Sequence, residues 1–105
     1  MYFLFKKEED IEKKLKENKK VILNFSADWC PPCQILEPLL KKIADDHKDI
    51  FFAKVDTDYF PKTTQEWQVK TLPTLVSING NKEVKRLEGL SKKDVIEKFI
   101  TESYK

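Results

Sequence analysis

The sequence predicts an α/β sandwich, one mixed sheet of five strands with helices on both faces. Three observations carry that prediction. Apolar periodicities switch along the chain in the order βαβαβαββα, the alternation that builds helix-covered sheets. Residues 21–27 form a nearly continuous apolar run, the pattern of a central strand buried on both faces. Asn79-Gly80-Asn81-Lys82 separates two short strand-like runs, a hairpin signal that makes the last two strands antiparallel and the sheet mixed. The 105 residues read as a single domain over 1–105, large enough to bury roughly 65% of its unfolded surface without a metal or disulfide brace.

Taken in order, Met1-Tyr2-Phe3-Leu4-Phe5 is the expected first strand. A helix over 8–18 follows, in which Glu9 with Lys13, Asp10 with Lys14 and Glu12 with Lys16 are i,i+4 pairs with the acid first. Ile11 and Leu15 give it a narrow apolar stripe. Asn24 breaks the apolar run of the second strand. The helix of about 32–48 carries Ile35, Leu36, Leu39, Leu40, Ile43 and Ala44 at helical spacing, so one broad face is expected to be core. Pro38 inside it removes the bond its N–H would make to the Gln34 carbonyl, and a kink is expected. His47 falls in the last turn, where an imidazole suits the helix dipole, and no ligand or acid–base role is expected of it. Residues 50–55 are the third strand, with Asp56 and Asp58 read as caps in the loop beyond.

A short helix over 61–69 has Trp67 near its end. Thr71-Leu72-Pro73-Thr74 then enters a strand at 75–78, and a proline at a strand's first position is ordinary. After the hairpin and the strand at 83–87, Gly89 is expected to allow a tight backbone approach. Ser91 with Asp94 has the spacing of a capping box, and Val95, Ile96, Phe99 and Ile100 are expected to face the sheet from the last helix.

The chemistry-bearing stretch is Trp29-Cys30-Pro31-Pro32-Cys33, which holds both cysteines and sits where the second strand meets a helix start. Two thiols at this spacing close a small disulfide ring and open it again. A helix N-terminus supplies unpaired N–H groups and partial positive charge that favour a thiolate, the nucleophile in disulfide exchange. Cys30 is therefore the expected attacking sulfur and the exposed one, and Cys33, one turn on, the resolving sulfur. Pro32 suits a first turn, whereas Pro31 next to it removes a second donor and leaves the Cys33 N–H as the one available to the Cys30 sulfur. A purely structural disulfide is disfavoured because so small a loop gains little from closure. A zinc site needs about four ligands, and beyond the two thiols the chain offers only His47, so no metal is expected.

Asp28-Trp29-Cys30-Pro31-Pro32-Cys33 after a Val-Ile-Leu-Asn-Phe-Ser-Ala strand resembles the active-site stretch of the thioredoxin family. Pro38, Leu72-Pro73-Thr74, Asn79-Gly80 and Gly89 match that family in order and spacing, and the resemblance covers essentially the whole chain. It supplies the strand order and implies the thioredoxin fold, a central mixed five-stranded sheet flanked by four helices. It implies a cis Leu72-Pro73 bond beside the thiols, with the backbone around Leu72 pairing with an extended substrate segment. Substrate contacts are expected from Trp29, Pro31, Pro32, Trp67, Thr71, Leu72 and Pro73. For Trp67 the family suggests a surface position near the thiols, while the residue pattern reads equally as core. Asn24 stands where the family carries a buried Asp thought to move the proton of the second cysteine. Asn does not titrate, so a structural role is as consistent with its type as a catalytic one. Lys54 matches the Lys that accompanies that Asp, and reads as electrostatic support for Cys33 or as a surface lysine.

The activity so implied is general reduction of protein disulfides through a redox-active Cys30–Cys33 disulfide, with no bound cofactor and electrons from NADPH through a partner thioredoxin reductase. Expected substrates are disulfide-containing proteins of the peroxiredoxin, ribonucleotide reductase and methionine sulfoxide reductase types. One alternative is an oxidant or isomerase of the protein disulfide isomerase type, which the Pro31-Pro32 pair argues against. The other is a thioredoxin-fold binding or chaperone subunit with incidental thiols. A net charge of +2 with 36% charged residues gives no dominant field, so no nucleic-acid partner is expected. With two glycines, a Gly-rich nucleotide loop is excluded. No apolar run approaches a membrane span and no export signal is legible, so a cytoplasmic monomer is expected.

Overall fold

The computed structural model describes residues 2–105. The elements are β1 (Tyr2–Leu4), α1 (Glu8–Glu17), β2 (Lys20–Ser26), α2 (Pro31–Asp45), β3 (Phe51–Asp56), α3 (Pro61–Glu66), β4 (Thr74–Asn79), β5 (Lys82–Glu88) and α4 (Lys93–Ser103). Met1, placed in the first strand by the sequence, lies outside the described residues. The sheet order is β1-β3-β2-β4-β5. β1, β3 and β2 run parallel, while β4 is antiparallel to both β2 and β5. The mixed five-stranded sheet and four helices agree with the expected fold.

β2 lies at the centre of the sheet because its side chains are apolar on both faces. Val21, Leu23 and Phe25 join Ile11 and Leu15 of α1 and the aromatic Phe60 before α3 in one core. Ile22, on the opposite face, joins Leu36, Leu40 and Ile43 of α2 with Ile96, Phe99 and Ile100 of α4 in the other. So α1 and α3 cover one face and α2 and α4 the other. β5, the outer strand, carries Lys82, Glu83, Lys85, Arg86 and Glu88, charges that suit an edge.

Four local expectations are corrected. Ile35 is 62% exposed and Val95 43% exposed; each precedes a buried residue, Leu36 and Ile96, by one position, a rotation that carries it off the narrower apolar stripe. α2 runs through Pro38 but ends at Asp45, so His47 lies past it and meets Glu97 at 2.6 Å. α3 stops at Glu66 rather than running to 69, because Gln68 adopts φ 54° and closes a Schellman motif through Val69 N to Thr64 O and Gln68 N to Gln65 O. Ser91 caps nothing: α4 begins at Lys93 with Lys92 at the N-cap.

The hairpin is built on positive φ at Gly80 (59°) and Asn81 (67°), the two central positions of a type I′ turn. Gly89 differs from expectation in its reason. A Cβ there would meet nothing within 4 Å, so its φ of 84° is what requires glycine, and its N–H donates to the Pro73 carbonyl at 2.7 Å.

Candidate active site

Two consecutive prolines have φ preset for a helix and no N–H to satisfy, and they fill the first two positions of α2. Cys30 thereby becomes the N-cap, with extended backbone at φ −88° and ψ 112°. An N-cap side chain accepts from the second or third helical N–H. Pro32 removes the second donor, and the third, Cys33 N–H, donates to Cys30 Sγ at 3.4 Å. Both cysteines are free thiols.

The exposure expected of Cys30 is not found. Cys30 is 4% exposed against 1% for Cys33, and Ala27 and the half-buried Leu72 pack with the pair. Burial raises the Cys33 pKa, its hydrogen bond with Cys30 raises it further, and the contacts to Ala27 and Ser26 only partly oppose this. Cys33 is thus held as a thiol that must be deprotonated before it attacks. The Leu72-Pro73 bond is cis, in agreement with the resemblance. Pro73 itself is buried, Pro32 half-buried, and Trp29 (66%), Pro31 and Thr71 are exposed around the thiols' helix start and the Leu72 segment.

Charge around the site is organised by partners the sequence left unassigned. Trp29 Nε1 donates to Asp58 Oδ2 at 2.5 Å, so Asp58 holds the indole instead of capping the loop. Asp56 is the cap, accepting from Asp58 N at 2.9 Å and Tyr59 N at 3.1 Å. Lys54 is not a surface lysine. Its side chain is 13% exposed and reaches Asp28 at 3.0 Å and Glu37 at 3.4 Å. Burial pulls its pKa down, but the two carboxylates more than offset that, and the ammonium form is favoured.

Asn24 is fully buried, and its Nδ2 donates to Tyr2 Oη at 2.8 Å while Oδ1 has no partner. The Tyr2 hydroxyl reaches it from β1 across β3. Burial pushes the Tyr2 pKa up; Asn24 lowers it, and Glu37 and Cys33 raise it. The sequence marks Tyr2 only as an apolar strand residue, and nothing local points to a partner on a non-adjacent strand. Trp67 is half-buried against Phe25, with ring centroids 6.2 Å apart, on the sheet face covered by α1. Its carbonyl accepts from Arg86 Nη2. That position belongs to the core contact of the two readings. Among the described residues no group of three or more His, Cys, Asp and Glu side chains is arranged to hold a metal ion.

The family model described as Thioredoxin matches residues 3–102. Thioredoxin H2-2 of Oryza sativa subsp. japonica is 41% identical over 83 residues, 79% of this chain, and the chain spans about 61% of that relative's length. Among solved structures, a thioredoxin from Nicotiana alata superposes with a TM-score of 0.92 at 30% identity, covering 99% of this chain and 93% of its own. A chain from a structural study of thiol resolution in a yeast mitochondrial 1-Cys peroxiredoxin via glutathione/thioredoxin systems superposes with a TM-score of 0.87 at 26% identity, covering 96% of this chain and 94% of its own.

Proposed function

The chain belongs to the thioredoxin family, and from that membership we propose that it is a general protein dithiol–disulfide oxidoreductase that reduces disulfides in other proteins. One observation carries this reading: two free thiols at the N-terminus of α2, with the Cys33 N–H already bound to the Cys30 sulfur. That N–H and the helix dipole stabilise negative charge on Cys30 as it forms. Cys30 thiolate attacks one sulfur of the substrate disulfide, and the other sulfur leaves as a thiolate. Cys33, once deprotonated, attacks Cys30 Sγ, closing the Cys30–Cys33 disulfide and expelling the second substrate sulfur.

Trp29, Pro31 and the half-buried Leu72 form the apolar rim at which a target docks, its segment pairing with the backbone around Leu72 as an added strand. NADPH-dependent thioredoxin reductase returns the disulfide to the dithiol. Peroxiredoxins are the first substrate class to try, since one similar solved chain comes from peroxiredoxin work; ribonucleotide and methionine sulfoxide reductases follow. The protein acts as a monomer in the cytosol, a reducing compartment in which a lone cysteine pair works rather than braces. No helix among the described residues is long and apolar enough to cross a membrane.

The test is the reduction potential of the Cys30/Cys33 pair, read by Trp29 fluorescence during equilibration with defined thiol buffers. A value at or below about −240 mV is expected, and one between about −180 and −120 mV belongs to isomerases and oxidants and would overturn the reading. Cys33→Ser is expected to trap substrates covalently on Cys30. Trapping that survived loss of Cys30 and needed Cys33 would reverse the two roles.

A further inference from the structure

A helix start normally leaves four N–H groups without a partner inside the helix, and in α2 two of them are missing because Pro31 and Pro32 have none. Of the two that remain, Cys30 N–H donates to the Ala27 carbonyl at 3.3 Å and Cys33 N–H to Cys30 Sγ at 3.4 Å. Negative charge forming on Cys30 therefore meets one backbone donor in this turn, with no second to replace it. Its stabilisation depends on how well Sγ stays aligned with that single N–H, and the alignment is set by the residues on the other side of Cys30.

Gln34, the residue after Cys33, grips those residues twice. Its backbone N–H donates to the Cys30 carbonyl at 3.1 Å, and its side-chain Nε2 donates to the Asp28 carbonyl at 2.5 Å. The two accepting carbonyls flank Trp29, so a single residue of α2 brackets the stretch of main chain that leads into Cys30. The Asp28 carboxylate is held as well, by Lys54 Nζ at 3.0 Å, and Lys54 also meets Glu37 of α2 at 3.4 Å. With its side chain 83% exposed, Asp28 gains little from that ion pair. The Gln34 amide acts on the main chain itself and is the firmer of the two holds.

We propose that Gln34 is a positioning residue for the nucleophile: its side-chain amide on the Asp28 carbonyl and its N–H on the Cys30 carbonyl keep Cys30 Sγ at the one N–H left to it. The proposal rests on the dithiol reading above and names what sustains its first step. Gln34 acts through the main chain of residues 28–30 and not on the reacting sulfurs. Without the side-chain bond, the backbone at Trp29 is freer to turn, and Sγ then leaves the Cys33 N–H for part of the time. Neither proline can take over as donor, so the thiolate loses a charge-assisted hydrogen bond whenever that happens.

Alkylation by iodoacetamide tests this, because the reagent is small and neutral and its rate on Cys30 follows thiolate content without target docking. The reduced protein is alkylated across pH, and the labelled cysteine is identified by peptide mass spectrometry. Gln34→Met, neutral and without a donor, is expected to slow labelling of Cys30 by about two- to tenfold at neutral pH, the equilibrium worth of one hydrogen bond. The gap should close at alkaline pH, where the thiol ionises without help, and the unfolding midpoint should stay put because Gln34 is exposed. Gln34→Asn keeps an amide but is one methylene shorter, and should give the same pattern, which separates lost reach from lost polarity. Labelling as fast as in the unmodified protein at every pH, or slowed by one constant factor throughout, would overturn the positioning role. Faster labelling of Cys33 than of Cys30 in the unmodified protein would instead overturn the dithiol reading.

Discussion

Asn24 and Tyr2 are hydrogen-bonded in the interior, and burial favours the neutral forms of Tyr2 and of Cys33. Replacing Asn24 by Asp puts a titrating carboxyl at that fully buried position. The fold is expected to survive, because the side chains have the same shape. The rate of disulfide reduction should acquire an added ionisation in its pH profile, and superimposable profiles for the two proteins would remove residue 24 from the mechanism. Cys33 also has a consequence for stability. Its pKa is raised above the ordinary 9.0, so above that pH an unfolded chain releases the proton while the folded one retains it. Stability is then complete below the unfolded thiol's titration and is lost as pH rises through the folded one. Urea unfolding of the reduced protein should show a decline from about pH 9 upward, and Cys33→Ser should remove part of it.

At the scale of elements, two termini carry testable interactions. Tyr104, at the C-cap of α4, donates its hydroxyl to the Val21 carbonyl at 2.6 Å and lies 3.2 Å from that of Ile78, a cross-strand pair of β2 and β4. Tyr104→Phe is expected to cost about 1 kcal/mol at neutral pH in a denaturant titration, the net worth of one such bond. Burial pushes this hydroxyl up to about 12 from 10.0. The contribution is therefore complete below pH 10 and is lost on approach to pH 12, so the variant should also show a weaker alkaline decline. The end of α3 offers the opposite sign. Gln68 holds φ 54° in its Schellman motif, a conformation that costs a side-chain-bearing residue more than it costs glycine. Gln68→Gly should raise stability by about 0.5 kcal/mol after allowing for the freer unfolded chain.

On the scale of the whole molecule, two cores share one sheet, and β2 supplies both. Phe25 is fully buried in the α1-side core and forms the seat of Trp67. Phe25→Ala should cost about 3–5 kcal/mol, a large share of a domain stability of about 5–15 kcal/mol. Because the same strand leads into Cys30, the loss should lower the unfolding midpoint and change Trp67 emission together. A midpoint that stayed put would mean that the face relaxes to fill the space.

Much of this was legible in the chain because it depends on neighbours in sequence. The period of the apolar residues fixes which segments are helix and which strand, Asn79-Gly80 fixes the hairpin, and Pro31-Pro32 before Cys33 fixes where α2 starts and which N–H meets the Cys30 sulfur. Helix edges were less legible at Ile35, Val95 and Gln68, where the width of a face or a single positive φ is set by what packs above it. Tertiary structure alone decided the burial of Cys30 under the Leu72 segment, the seating of Trp67 on Phe25, the ion pairs of Lys54 and the Tyr2–Asn24 hydrogen bond. Each of these joins residues separated by 17 to 42 positions in the chain, and no local pattern encodes a contact that exists only once the sheet has assembled.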